Sequence, residues 1–257
     1  MNVFDTHAHL DDPRFDEDRE ALIAALPGEG VVRCLTVGAS MESSENAVAL
    51  AQRWPHLWAS VGVHPHEAVH LTDGQLDTLR SWAGEERVVA IGEIGLDYHY
   101  DLQPRDVQRA CLNQQFTLAQ EVGLPIIYHM REAWGDFLPW LKAAPRHPGV
   151  MHCFSGSVET AKTCLDAGLY VSLAGTATFK NARNLQEVAR YVPADRLLIE
   201  TDCPYLSPEP VRGRRNEPKH VLHTARAVAA LRGEDPDELA RRTLENGCRL
   251  FGIPMPE

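Results

Sequence analysis

The 257-residue chain is 44% hydrophobic and carries a formal net charge of −11. This length fits one α/β barrel or two smaller domains, and the apolar content is sufficient for a large core without disulfides. The negative charge argues against a long basic groove for duplex DNA and against an anionic membrane surface. It still permits a nucleic-acid end at a small site, because bound divalent cations would offset nearby carboxylates.

Short β-rich runs alternate with helical patterns along the chain. Each run is nearly continuous in Val, Ile, Leu and Ala, as expected for strands of a parallel sheet that are buried on both faces. The eight runs cover residues 3–9, 31–37, 57–63, 88–94, 125–129, 149–153, 169–173 and 197–201. Eight alternations, without a Gly-x-Gly-x-x-Gly motif after the first run, predict an α/β fold: a closed (β/α)₈ TIM barrel forming one domain over residues 1–257.

The helical patterns between these runs cover residues 16–26, 42–53, 73–83, 104–121, 132–142, 158–167 and 182–192. After the eighth run, Asn216 is expected to cap a helix that has Pro218 in its first turn and continues to Leu231. A last helix at residues 235–251 is expected to pack outside the ring.

The six cysteines are far apart and form no Cys-x-x-Cys pair. This spacing favours reduced thiols in a cytoplasmic protein over a disulfide framework or a zinc knuckle. The sequence contains neither a signal-peptide pattern nor an apolar stretch of membrane-spanning length, so no membrane contact is expected. The oligomeric state is not indicated, and a monomer is compatible with the sequence.

The first β-rich run contains the segment Phe4-Asp-Thr-His-Ala-His-Leu10. Alternation along a strand would place Asp5, His7 and His9 on one face. Two imidazoles one pleat apart can bind the same cation, but they supply only half of a usual ligand set.

Further imidazoles and carboxylates occur at or near the ends of later β-rich runs. These residues are His64, Glu93, His129, His152 and Asp202. In a closed barrel the carboxyl ends of all strands meet at one rim, where the active site forms. One such histidine alone is more often a hydrogen-bonded structural residue, and one buried acid is usually half of an ion pair. Their repetition at strand ends instead predicts a metal site, because unpaired buried charges are costly.

Six protein ligands are too many for one tetrahedral zinc and suit two divalent cations that share a carboxylate. His7 and His9 would hold one cation together with Asp202. His129 and His152 would hold the other, and Glu93 would bridge. The mixed ligands are compatible with Mg, Mn, Zn or Fe.

Such a centre predicts hydrolysis at phosphorus or carbon. Asp202 is the best candidate to orient or deprotonate the attacking water, and Glu93 would hold both cations. His64 could donate to the leaving oxygen or contact the substrate; a purely structural role before Pro65 is equally compatible.

Taken in order, these motifs resemble the TatD family of metal-dependent deoxyribonucleases over essentially the whole chain. The motifs are Phe4 to Leu10, Val61-Gly-Val-His-Pro-His66, Gly92-Glu-Ile-Gly-Leu-Asp-Tyr98, His129-Met-Arg-Glu-Ala133, His152-Cys-Phe-Ser-Gly156, Glu200-Thr-Asp-Cys-Pro-Tyr-Leu206, Arg214-Arg-Asn-Glu-Pro218 and Asn246 to Gly252. The resemblance implies a TIM-barrel hydrolase with two divalent cations held by the six residues assigned above. It further implies a DNase, with 3′-to-5′ exonuclease action on single-stranded ends. Related amidohydrolases often bridge their metals with a modified lysine on the fourth strand, and Glu93 at that place favours the nuclease branch.

Candidate substrate-binding residues also lie near the expected rim. Arg131 could bind a phosphate bidentately or pair with an acid such as Glu132. Arg214, in a basic run after the eighth strand, could follow a phosphate backbone or simply be solvated. Tyr98 and its neighbours could stack on an unpaired base or pack against the barrel.

The same centre also suits an amide or ester hydrolase, for example one acting on aminoacyl-tRNA. A non-catalytic barrel that holds metal structurally is a further alternative, but the number of candidate ligands argues against it.

Overall fold

A parallel sheet of eight strands, joined in sequence order, organises the computed structural model, which describes residues 1–256. The strands are β1 (Val3–Ala8), β2 (Val31–Val37), β3 (Leu57–Val61), β4 (Val88–Asp97), β5 (Ile126–Arg131), β6 (Gly149–Met151), β7 (Tyr170–Leu173) and β8 (Leu197–Ile199). All ten residues of β4 are buried, as the continuous apolar runs predict for strands covered on both faces.

Nine α-helices follow or connect these strands within the described residues. They are α1 (Arg19–Ala25), α2 (Met41–Arg53), α3 (Asp73–Trp82), α4 (Arg105–Val122), α5 (Trp134–Ala143), α6 (Val158–Asp166), α7 (Arg183–Tyr191), α8 (Val221–Arg232) and α9 (Pro236–Phe251). Side chains cap several N-termini: Ser40 accepts from a backbone N–H of α2, and Ser157 does the same for α6. Within residues 1–256, no helix combines the length and the apolar character that crossing a membrane requires.

The sheet curls into a nearly closed barrel whose seam lies between β8 and β1. One parallel bridge joins Ala8 and Cys203 across this seam. On either side of the bridge, the Asp202 amide donates to the His7 carbonyl at 2.9 Å, and the His9 amide donates to the Cys203 carbonyl at 2.8 Å. The (β/α)₈ architecture expected from the sequence is therefore confirmed.

Helix α9 closes the end of the barrel where the strands begin. Its Leu244 and Phe251 pack in one buried cluster with Phe4, Ile127 and Leu198, which precede the polar residues of their strands. The Phe4 and Phe251 rings lie 6.0 Å apart. The last helix therefore lies outside the ring of strands, where its apolar face covers this barrel end.

The prediction that Asn216 caps the following helix was wrong. A short 3₁₀ helix, Pro218–His220, precedes α8, and its N-cap is Glu217. The buried Asn216 amide instead donates to the carbonyls of Thr201 and Tyr205, at 2.9 and 2.6 Å. The Asn216 amide group thus fastens the loop after β8, while its Oδ1 accepts from the Glu217 backbone N–H at 3.0 Å, one residue before the 3₁₀ helix.

Strand limits near the carboxyl ends differ from the prediction. β4 continues past Glu93 to Asp97, whereas β3, β6 and β8 end early, at Val61, Met151 and Ile199. Glu93 therefore lies inside a strand, and the polar residues expected at the other three strand ends stand in the first residues of the following loops.

Candidate metal centre

The first group of candidate ligands lies at the seam of the barrel. The Nε2 atoms of His7 and His9 are 3.3 Å apart. Asp202 Oδ1 lies 3.7 Å from His7 Nε2 and 3.5 Å from His9 Nε2. Both sides of the seam therefore direct donor atoms to one point, although they come from opposite ends of the chain.

Strand β5 and the loop after β6 supply a second group beside the first. His129 Nδ1 and His152 Nε2 are 3.2 Å apart. The His152 ring also stacks on His7, with ring centroids 3.9 Å apart. The two groups are therefore in direct contact.

Glu93 lies between the groups, and each of its carboxylate oxygens faces one of them. Oε2 is 3.5 Å from His7 Nε2 and 3.6 Å from His9 Nε2. Oε1 is 2.6 Å from His129 Nδ1 and 2.8 Å from His152 Nε2. This arrangement matches the geometry of a carboxylate that bridges two cations.

Three of the imidazoles are oriented by a hydrogen bond from the ring nitrogen that points away from Glu93 and Asp202. His129 Nε2–H donates to Asp97 Oδ2 at 3.1 Å, and His152 Nδ1–H donates to Glu200 Oε1 at 3.2 Å. His9 Nδ1–H donates to the Val37 carbonyl at 3.1 Å. In each ring this leaves the nitrogen that faces Glu93 or Asp202 free to act as a ligand.

Sequence analysis did not assign roles to Asp97 and Glu200, which are both 1% exposed. A signal was present for each. Asp97 is four residues after Glu93 and therefore on the same face of an extended strand, and Glu200 is two residues before Asp202. His66 was also missed; its Nε2 lies 3.1 Å from Asp97 Oδ2.

Four carboxylates thus meet without a lysine or arginine partner in the described residues. Glu93, Asp97, Glu200 and Asp202 form ion pairs only with histidines. Burial raises the pKa of Glu93, but the surrounding imidazoles, His152 foremost, outweigh burial and hold this pKa well below its usual value. The cluster therefore carries negative charge whenever its histidines are neutral.

A divalent cation fits this donor set. When His9 is neutral with its proton on Nδ1, the lone pair of its Nε2 faces Nε2 of His7 at 3.3 Å and is available to a cation. His7 Nδ1 is buried and has no hydrogen-bond partner. Cations would accept these lone pairs and neutralise the carboxylates, which removes the cost of burying them. Mixed imidazole and carboxylate ligands are common for Zn²⁺, Mn²⁺ and Fe²⁺.

His64 lies next to this centre in a defined tautomer. The His66 backbone N–H donates to His64 Nδ1 at 3.1 Å, so the proton of the neutral ring is on Nε2. That Nε2 is 3.7 Å from Glu93 Oε1. Burial, with help from the neighbouring His129, lowers the pKa of His64 well below its usual value. His64 is therefore a neutral hydrogen-bond donor.

The three candidate substrate-binding residues have different surroundings. Arg131 ends β5 and has no carboxylate partner among the described residues; its guanidinium lies 4.7 Å from the centre of the Tyr100 ring. Arg214 is exposed and its guanidinium is also unpaired. The Tyr98 hydroxyl instead donates to Asp136 at 2.7 Å, which directs this ring toward the outer helices.

Comparison with known proteins gives one consistent result. The sequence model of the family described as TatD-related DNase matches residues 4–252. The chain is 43% identical to the "uncharacterized metal-dependent hydrolase YabD" of Bacillus subtilis, with 98% of this chain and 99% of that protein covered. It is 39% identical to the "3′-5′ ssDNA/RNA exonuclease TatD" of Cronobacter sakazakii, with 97% of each covered.

Among solved structures, YjjV, a TatD homologue from Escherichia coli K12, superimposes with a TM-score of 0.91. It is 32% identical to this chain, and the alignment covers 98% of both chains. The family resemblance expected from the ordered motifs is confirmed by these matches. This chain therefore belongs to the TatD-related DNase family of metal-dependent hydrolases.

Proposed function

We propose that this enzyme hydrolyses phosphodiester bonds at single-stranded DNA ends, in the 3′-to-5′ direction, with two divalent cations. The observation that carries the proposal is the position of Glu93, whose two oxygens face two separate pairs of imidazoles at 2.6–3.6 Å. Relatives named as 3′-5′ ssDNA/RNA exonucleases support the substrate and the polarity.

His7, His9 and Asp202 would hold one cation, His129 and His152 the other, and Glu93 both. When bound, the cations, whether Mg²⁺, Mn²⁺ or Zn²⁺, supply Lewis acidity to the phosphodiester and a nucleophile at neutral pH. The candidate ligands come from β1, β4 and β5 and from the loop positions that follow β1, β6 and β8, so the barrel itself sets their geometry.

Asp202 would accept the proton of the attacking water. Burial raises the pKa of this carboxyl, but the hydrogen bond from His9 and the nearby histidines outweigh it, so the pKa is lowered and the group is ionised. Its backbone has a φ of 58°, in the left-handed region. The hydrogen bond from the Asp202 backbone N–H to the His7 carbonyl, across the seam, holds Asp202 in this conformation and directs its carboxylate into the cluster.

His64 and Arg131 would act on the substrate phosphate. The Nε2–H of His64 lies 3.7 Å from Glu93 Oε1, beside the proposed cations, and could donate to a phosphate or leaving-group oxygen without first gaining a proton. Arg131, free of acidic partners, can bind a phosphate oxygen pair. Arg214, exposed in the loop after β8, would meet the strand farther from the cations.

The proposed setting is a cytoplasmic enzyme with DNA as its partner. All six cysteines are free, which supports a reducing compartment.

The test uses the full chain, stripped with a chelator and refilled with Mg²⁺, Mn²⁺ or Zn²⁺. Single-stranded DNA labelled at its 5′ end should shorten one nucleotide at a time from the 3′ end, while duplex DNA of the same sequence should persist. Single-stranded RNA, an aminoacyl-tRNA and simple acyl esters are incubated in parallel. Rapid deacylation with intact DNA would contradict the proposal and favour the amide and ester hydrolase alternative.

A further inference from the structure

Two exposed tyrosines stand on opposite sides of the candidate metal centre. Tyr100 lies in the loop after β4, and Tyr205 lies in the loop after β8. In a barrel of eight sequential strands, the fourth and eighth are diametrically opposed. The carboxyl ends of all strands open at the same rim, so the loops that carry the two tyrosines lie on opposite sides of the mouth.

Each ring is also close to the histidines of the centre. The Tyr100 ring lies 5.5 Å from the His66 ring, which in turn lies 4.3 Å from His64. On the other side, the Tyr205 ring lies 6.1 Å from the His9 ring. Both tyrosines stand nearly perpendicular to the neighbouring imidazole, and the centre lies between them.

Hydrogen bonds to neighbouring residues hold the loops of both tyrosines in place. The Tyr100 amide donates to Asp97 Oδ1 at 2.9 Å, so the carboxylate that orients His129 also holds this loop. The Tyr205 hydroxyl donates to Asp12 at 3.2 Å, and its carbonyl accepts from Asn216. The loop that carries Tyr100 and the ring of Tyr205 therefore have defined positions relative to the candidate metal centre, and both rings remain exposed.

An arginine lies against each ring. The Arg131 guanidinium is 4.7 Å from the centre of Tyr100, and the Arg14 guanidinium is 4.2 Å from the centre of Tyr205. Each side of the mouth thus presents a planar aromatic surface that a base could stack on. The Arg131 guanidinium has no carboxylate partner among the described residues and could also bind a phosphate, whereas the Arg14 guanidinium is paired with Asp12 at 2.8 Å.

The exposure of these rings is unusual for the molecule. Tyr100 is 55% exposed and Tyr205 is 46% exposed. With Leu102 and Leu206, they make up four of the seven large hydrophobic residues that are exposed in residues 1–256. Apolar surface concentrated in two loops beside a polar cleft indicates a ligand with apolar faces.

We infer that Tyr100 and Tyr205 stack on the two unpaired bases that flank the bond to be hydrolysed. This inference rests on the proposed function and deepens it. The site would select a single strand that carries a base on each side of the reacting phosphate, because a penultimate base in a duplex is stacked on both faces by its neighbours and offers no face to a tyrosine.

The experiment removes one stacking partner at a time. Thymidine oligonucleotides are prepared in three forms: complete, lacking the 3′-terminal base, or lacking the penultimate base, with a tetrahydrofuran residue at the abasic position. The rate of the first cut, as kcat/KM, is measured for the wild type and for Tyr100→Ala, Tyr100→Phe, Tyr205→Ala and Tyr205→Phe. Tyr191→Ala, which removes a 41% exposed tyrosine from α7, is the matched control.

Each alanine variant should lose roughly tenfold in kcat/KM on the complete oligonucleotide, as expected for one lost base stack. On the substrate that lacks the base that the removed tyrosine stacks on, the alanine variant should have the same kcat/KM as the wild type. One tyrosine should show this for the oligonucleotide that lacks the terminal base, and the other for the oligonucleotide that lacks the penultimate base. Tyr191→Ala should match the wild type, and each phenylalanine variant, which keeps the aromatic ring, should retain more activity than the alanine variant at the same position. Thermal melts of all variants separate loss of stacking from loss of fold.

Equal losses on complete and abasic substrates, or no loss on any substrate, would overturn the inference. If the wild type cuts the complete oligonucleotide while the variants show no dependence on the bases, the stacking proposal alone fails. If the wild type leaves every oligonucleotide intact with each metal, the proposed function fails as well.

Discussion

Replacing Glu93 with glutamine tests the bridging geometry directly. The change keeps the shape of the side chain but replaces one oxygen by an NH₂ group and removes the charge. Both oxygens of Glu93 are engaged, at 2.6 Å from His129 and at 3.5 Å from His7. Whichever position the NH₂ group takes, it therefore faces ligand nitrogens and can no longer bind a cation there.

The expected loss follows from the role of one cation. Charge stabilisation by a catalytic metal is worth several kcal/mol; a loss of about 4 kcal/mol corresponds to roughly a 10³-fold lower kcat. The metal content of the variant, measured by mass spectrometry after dialysis, should fall by at least one ion per chain relative to the wild type. The fold should persist, because the eight-stranded sheet does not depend on this carboxylate.

The assay compares Glu93→Gln with Glu67→Gln. Glu67 lies in the short 3₁₀ helix Pro65–His70 after β3, and its side chain is 47% exposed. Both proteins are stripped, refilled and assayed on 5′-labelled single-stranded DNA. Glu67→Gln should behave as the wild type. Full activity of refilled Glu93→Gln, with unchanged metal stoichiometry, would refute the bridging role.

Three further predictions follow from the same geometry. Asp97→Asn should weaken metal affinity about ten- to hundredfold, because the amide no longer fixes His129 in its ligating tautomer; a chelator competition titration measures this, and unchanged affinity would contradict it. Gly95→Ala should lower the free energy of unfolding by about 1–3 kcal/mol in urea, because the added Cβ would overlap the His129 carbonyl oxygen; an unchanged midpoint would show that β4 and β5 can move apart. Burial lowers the pKa of His9, but Asp202 and Glu93 outweigh this and raise the metal-free pKa to about 9. This ring is therefore protonated at neutral pH without metal, and metal binding should release a proton and tighten as pH rises toward 9. Calorimetry in two buffers of different ionisation enthalpy measures this release, and identical heats in both would argue against it.

The barrel was predictable because its strands are buried on both faces. Their continuous apolar runs stand out from the helical patterns, and the count of eight determines the architecture. The family followed from motifs that occur in order along the whole chain, and the matches over residues 4–252 confirm it.

The details around the site were less accessible from the sequence. The predicted fourth run ended at residue 94, so Asp97 lay outside it. In the structure β4 passes close to His129 at Gly95 and continues to Asp97. The place of a residue in the sequence also does not show which group its side chain will hydrogen-bond to. Tyr98 and Tyr100 were indistinguishable as stacking candidates until Asp136 was found to hold the Tyr98 hydroxyl.

The seam of the barrel gives the candidate centre a second consequence. Between the first and last strands there is one ladder bridge, and His7, His9 and Asp202 sit on either side of it. An ion held by these three side chains would fasten the two ends of the sheet, much as a cross-link between distant parts of a chain does. In a protein whose thiols are all free, metal coordination would then stabilise the closed barrel as a disulfide could. Loss of the ion should first appear as faster hydrogen exchange of the backbone amides along the seam.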